Sequence, residues 1–257
     1  MYLCRASVRK LLIFLIMIFL SKEAFAQIVC SSLTTGQSAT DASSYATASI
    51  TPTANSIVLL SVWSDISSGP PVQPTATGNS LTWTAINSDT NATDVNRRLT
   101  ILRAMGSSPS TGAITIDFAS ETQRVIMWNV SQCSDVINNN DGGASVIIHS
   151  GLETSNAFGT SDTIVLPTFI RSGNVAFGAY VHGTNEATTP DTGFTELSDQ
   201  NINDGGLISG MQVQYAIGRP TMSWSWATSS LKFGVATELN NNITTIRNST
   251  LRNATIY

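Results

Sequence analysis

Two stretches of this chain, about residues 56–130 and 174–239, pass through the same order of short β-rich runs, and that repetition narrows the folds open to it. Ser56-Ile57-Val58-Leu59-Leu60 aligns with Asn174-Val175-Ala176-Phe177-Gly178. Pro74 and Gly78 ahead of Leu81-Thr82-Trp83 align with Pro190 and Gly193 ahead of Phe194-Thr195-Glu196-Leu197. Leu99 to Ala104 then matches Met211 to Ala216, Ala113 to Phe118 matches Thr221 to Trp226, and Arg124 to Val130 matches Lys232 to Glu238. The segment from Ala144 to Leu166 bridges the two halves.

Downstream of residue 26 no stretch carries a helical stripe, whereas β-branched and aromatic runs recur between Gly, Pro, Asn and Asp clusters, so the fold class is all-β. Ile114, Ile116 and Phe118 alternate with Thr115 and Asp117, as in a sheet with one wet face. Two architectures satisfy the duplication. Each half closes its own small sandwich, or the strands of both intercalate into one jelly-roll β-sandwich of two packed antiparallel sheets. The jelly-roll over residues 27–239 is expected, because a half of about 80 residues with few large apolar side chains is marginal alone. The segment 240–257, opening on Asn240-Asn241-Asn242, reads as a flexible tail.

Residues 1–26 read as an export signal: basic Arg5, Arg9 and Lys10, an apolar run from Leu11 to Leu20, and Ala24-Phe25-Ala26 before a mature start at Gln27. Val29 is not the small residue expected before a lipidated cysteine. Cys4 leaves with the signal, so Cys30 and Cys133 remain, and in an oxidising compartment they are expected to pair. The expected location is outside the cell or on its surface, with the periplasm as the alternative.

The whole chain has 13 Lys+Arg and 17 Asp+Glu, but only 12% of its residues are charged. Beyond residue 26 nine basic residues face sixteen acidic ones, and Lys232 is the only lysine. Such a chain cannot neutralise a row of phosphates, which excludes nucleic acid and anionic membranes as partners. Two histidines exclude a polyhistidine metal site.

Asn138-Asn139-Asn140-Asp141-Gly142-Gly143 and Asn201-Ile202-Asn203-Asp204-Gly205-Gly206 share the form Asn-x-Asn-Asp-Gly-Gly. Asn138, Asn140, Asp141, Asn201, Asn203 and Asp204 supply oxygens of the kind calcium prefers, with Asp135 and Asp199 nearby. Asp-Gly is also a strong turn signal, and a plain turn is the simpler reading. No cofactor is otherwise required. Trp224 and Trp226 share one strand face, and Trp63 ends a strand before Gly69-Pro70-Pro71, so these three are the candidate platform for sugar rings. Burial in the core is the competing reading. His149 and His182 are the only histidines for a catalytic base, no Gly-x-Ser-x-Gly elbow is present, and Asp117, Glu121, Glu196 and Glu238 are the strand carboxylates a glycosidase would need. The sequons at Asn91, Asn129, Asn242, Asn248 and Asn253 read as by-products of an Asn- and Thr-rich composition.

The order of a Pro-x-x-x-Gly-x-x-Leu-Thr-Trp-Thr segment at Pro74 to Thr84, an Arg-bearing strand at Arg97 to Arg103, and Asp141-Gly142-Gly143 before Ala144 to His149 resembles jelly-roll domains of bacterial exported proteins and phage surface proteins. The resemblance spans about residues 45 to 239. Those domains are similar to concanavalin A-like sandwiches, which implies glycan or surface binding. The chain lacks the Glu-x-Asp-x-Glu motif of the enzymatic members, so the resemblance carries over no catalytic residue. The expected function is a secreted, non-catalytic module that binds carbohydrate or a cell surface. The alternatives are a self-associating subunit of an extracellular fibre or surface layer, and a carbohydrate-active enzyme.

Overall fold

A computed structural model describes residues 27–91, 94–153 and 157–242. The expected export signal, most of the expected tail and the sequons at Asn248 and Asn253 lie outside the described residues. The described chain is all-β. Its first half contains β1 (Val29–Ser38), β2 (Ser44–Ala46), β3 (Ile57–Asp65), β4 (Thr75–Gly78), β5 (Thr84–Thr90), β6 (Arg97–Ala104), β7 (Ile114–Asp117) and β8 (Val125–Ser134). A single 3-10 turn, Ala144–Val146, leads into β9 (Ile147–Leu152), β10 (Gly159–Val165), β11 (Val175–His182), β12 (Thr189–Pro190), β13 (Thr195–Asp204), β14 (Leu207–Ile217), β15 (Thr221–Ser230) and β16 (Lys232–Leu239).

These strands form four antiparallel sheets. The first half makes a five-stranded sheet in the order β1-β8-β3-β6-β5 and a three-stranded sheet β2-β7-β4. In the second half the orders are β9-β16-β11-β14-β13 and β10-β15-β12. Adding eight to each strand number of the first half gives the second, so the repetition visible in sequence is a repetition of topology. No sheet takes strands from both halves, so the expected β-sandwich of packed antiparallel sheets is built from four sheets instead of two intercalated ones.

The side chains explain this layering. β3 and β11 are buried along their whole length, as expected of strands covered on both faces. One face of β3, with Ile57, Leu59 and Trp63, packs against Val175, Phe177, Ala179 and Val181 of β11 in a central core shared by the halves. Its other face, with Val58, Leu60 and Val62, packs on Tyr45, Ile114 and Ile116 of the small sheet. Ala176 and Tyr180 do the same in the second half, against Ile164, Met222, Trp224 and Trp226. A half that is marginal alone thus gains its second apolar interface from the other half. Polar contacts bind the rim of the central layer: Asn87 Nδ2 donates to Ser150 Oγ (3.3 Å) and Gln200 Nε2 to the Trp128 carbonyl (3.0 Å).

Cys30 and Cys133 form a disulfide across paired positions of β1 and β8. It holds the polar edge strand β1, which sequence periodicity does not reveal, to the body of its sheet. The first tail residues are also anchored. Asn241 bridges Val136, and Asn242 donates its backbone N–H to the Asp135 carbonyl.

Candidate functional site

The three tryptophans expected to form a sugar platform are all buried, which corrects that expectation. Trp63 is fully enclosed in the central core. In β15 the alternation turns Met222, Trp224 and Trp226 inward and leaves Ser223 and Ser225 on the outer side. Tyr180 stacks on Trp224 at 5.0 Å between ring centroids, and His182 stacks on Trp226 at 5.4 Å. The Trp226 indole N–H donates to Ser230 Oγ (3.1 Å). Burial holds His182 down at about 4, and its ring nitrogens contact Thr184 Oγ1 (2.7 Å) and Thr188 Oγ1 (2.8 Å) as a neutral imidazole.

The two Asn-Asp-Gly-Gly loops do not make one site. Asn138 Nδ2 donates to Asn55 Oδ1, while Asn138 Oδ1 accepts the Asn140 backbone N–H (each 2.9 Å). Asp141 accepts the N–H groups of Gly143 (3.1 Å) and Ser145 (2.8 Å), capping the short turn that follows. Asn201 and Asn203 belong to β13, and Asp204 pairs with Leu207 around Gly205 and Gly206. Both glycines have positive φ (56° and 95°), the geometry of a two-residue hairpin turn. Gly143 packs on Ile57, which begins β3, whereas Gly205 and Gly206 lie beside Arg124 and Val125, next to Asp65 at its end. The loops are therefore about 26 Å apart, nine strand residues at the usual rise. Among the described residues no three His, Cys, Asp or Glu side chains converge as a metal group.

The strand carboxylates are also dispersed. Asp117 and Glu121 belong to the first half, Glu196 lies on edge strand β13, and Glu238 lies on β16 beside the opposite edge. Glu238 is buried, held by Asn174 Nδ2 and His149 Nδ1, each at 2.5 Å. Asn91 and Asn129 are buried, and their amides donate to the Lys232 carbonyl (3.1 Å) and Ser32 Oγ (2.9 Å).

What the fold does assemble lies on the small sheet of the second half. Its outer side carries rows of hydroxyls set by strand register. Ser161 pairs with Ser225, which pairs with Thr189, and Thr163 pairs with Ser223. Thr163 Oγ1 and Ser223 Oγ are 3.0 Å apart. With Pro190, Asp191 and Thr192 they line a shallow cleft of about 430 Å³. A second cleft of about 560 Å³ lies on the other side of β10, lined by Leu152, Glu153, Val165 and Lys232, and Ser161, Asp162 and Thr163 belong to both.

Beneath this strand the interior is polar. Lys232 Nζ lies 3.1 Å from Asp162 Oδ1 and donates to the Ser161 carbonyl (3.0 Å). Burial pushes Asp162 up to about 6; the Thr163 N–H and Lys232 pull the other way, and the charge of Glu153 adds to the rise. Burial also raises Tyr180, helped by the charges of Asp162 and Glu153. The first half fills corresponding positions differently. Val62 pairs with Thr100 and Trp128, whereas Tyr180 pairs with Gln212 and Gly234. The same topology thus carries, beside the apolar cluster of the second half, a buried amine, carboxylate and phenol at positions the first half fills otherwise.

Sequence reasoning passed over Asp162 and Lys232, although both left a signal. Asp162 has the strand parity of Ile164, an inward position, and Lys232 immediately precedes the uncharged run Phe233-Gly234-Val235-Ala236. Comparison with family models, with curated proteins and with solved structures gives no match for this chain.

Proposed function

We propose that the chain is an exported, non-catalytic binding module that takes a polyhydroxylated ligand, a glycan free or on a cell surface, in the hydroxyl-lined cleft of the β10-β15-β12 sheet. The observation that carries this reading is the register of Ser161, Ser225 and Thr189 beside Thr163 and Ser223, flanked by the Asp191 carboxylate. A grid of short side chains that each donate and accept is complementary to sugar hydroxyls, and Pro190 offers a small apolar surface to C–H groups. The disulfide is in keeping with an oxidising compartment, and among the described residues no helix is long and apolar enough to cross a membrane. The motif-order resemblance to concanavalin A-like sandwiches points to the same ligand class.

The test is a glycan array probed with residues 27–257, followed by titration of any ligand found. Ser225→Tyr, which fills the cleft, is expected to weaken binding at least about tenfold, roughly 1.4 kcal/mol, with unfolding unchanged. Binding is expected to persist in chelator, because Asp141 is committed to backbone N–H groups. Loss on chelation would return the Asn-Asp-Gly-Gly loops to the site, and a silent array would remove the proposal.

A further inference from the structure

Beside the apolar cluster of the second half, Lys232, Asp162 and Glu153 line one cleft in an arrangement separate from the rows of hydroxyls. Lys232, the only lysine beyond residue 26, begins β16 in the five-stranded sheet and turns its amine inward. Asp162 lies on β10, the edge of the facing three-stranded sheet, and Nζ and Oδ1 are 3.1 Å apart with both side chains at least nine-tenths buried. The other carboxylate oxygen, Asp162 Oδ2, is buried with no hydrogen-bond partner. Glu153 is also buried, and its backbone N–H donates to the carbonyl of Gly234, two residues beyond Lys232 (3.0 Å). Ile164 and Leu152 line the same cleft.

Holding Lys232 and Asp162 as ions takes two charges out of water, which is costly unless every oxygen is paired, and Asp162 Oδ2 is not. An amide removes both charges and the orphaned oxygen together. We propose that Lys232 Nζ and Asp162 Cγ condense to an intramolecular isopeptide bond, with Glu153 carrying the proton between them.

The step balances without a co-reactant. A proton first passes from the Lys232 ammonium to the Asp162 carboxylate, giving a neutral amine and a neutral acid. Burial, which raises the Asp162 pKa, favours the neutral acid. The Nζ lone pair then attacks Cγ and the C–N bond forms. The Glu153 carboxylate accepts a proton from Nζ and delivers it to a Cγ hydroxyl, which departs as water when the C–O bond breaks. One N–H stays on Lys232, Glu153 ends as it began, and no atom changes oxidation state. Fixing the two groups in contact supplies the entropic part of the barrier, which is why a reaction negligible between free side chains becomes accessible inside a fold. The bond spans 70 residues and joins the two sheets of the second half, where the disulfide spans 103 residues within one sheet of the first.

The test is proteolytic mapping by mass spectrometry of the folded, exported chain. A branched peptide joining the Asp162 and Lys232 segments, lighter than its two parts by one water, is the expected result, with complete loss of the tryptic cut after Lys232. A free Lys232 amine, cleaved by trypsin and labelled by an amine reagent after unfolding, would overturn the proposal. Glu153→Gln keeps both partners and is expected to leave them unlinked in a folded chain, as judged by circular dichroism. A fully linked Glu153→Gln protein would overturn the role given to Glu153.

Discussion

At the scale of single residues, close contacts and buried charges explain several otherwise arbitrary choices. Strand pairing puts Gly234 where Trp128 stands in the first half, two residues from the Ala236 that the sequence alignment sets opposite Trp128, and a Cβ at Gly234 would lie 3.0 Å from the Tyr180 ring and 3.1 Å from Ile164. Gly234→Ala is expected to cost about 1–3 kcal/mol, read as a lower denaturation midpoint at unchanged slope. Asp89 and Asp199 are both pushed up to about 6, chiefly by burial, from an ordinary value of 3.8. The folded state therefore holds more protons than the unfolded one between those values. Stability carried by these groups rises as pH falls through about 6. His182, held at about 4, works in the opposite direction below 6.5. Comparison with Asp89→Asn/Asp199→Asn cancels the histidine. The thermal midpoint of the native protein minus that of the variant is expected to grow on acidification from neutrality, and a flat difference would contradict the burial of these carboxyls.

At the scale of elements, legibility follows how each strand is covered. The runs Ile57 to Trp63 and Val175 to Val181 are apolar without interruption because sheets cover both faces, and sequence finds them at once. In β15 the alternation is plain, but periodicity states only that Trp224 and Trp226 share a face. Which face meets the core depends on β11 and β10, far away in sequence. Strand β1, reading VCSSLTTGQS, has little pattern because it is a largely exposed edge. Its order rests on pairing with β8 and on Cys30–Cys133. Cys133→Ser is expected to lower stability by roughly 4 kcal/mol on the chain-entropy account. Hydrogen exchange is expected to rise most in β1, and equal loss of protection in every strand would contradict its role as a stapled edge.

At the scale of the whole molecule, the central layer makes the halves interdependent. Trp63→Ala is expected to cost about 3–5 kcal/mol and to destabilise both halves in a single transition, because the cavity opens into a core they share. A fragment of residues 27–134 exposes the apolar face of β3 and is expected to self-associate; a stable monomer in sedimentation would show the halves to be independent. The amino-acid sequence by itself determined the all-β class, the repeated order of strands and the cysteines available to pair, since these follow from local periodicity, turn residues and residue counts. Only the tertiary structure decided that the repeats pack back to back as four layers, that the tryptophans point inward, and that Asp162 meets Lys232. Those outcomes depend on which faces meet across more than a hundred residues in the first case and 70 in the last, a choice made by burial of complementary apolar surfaces that no local pattern encodes.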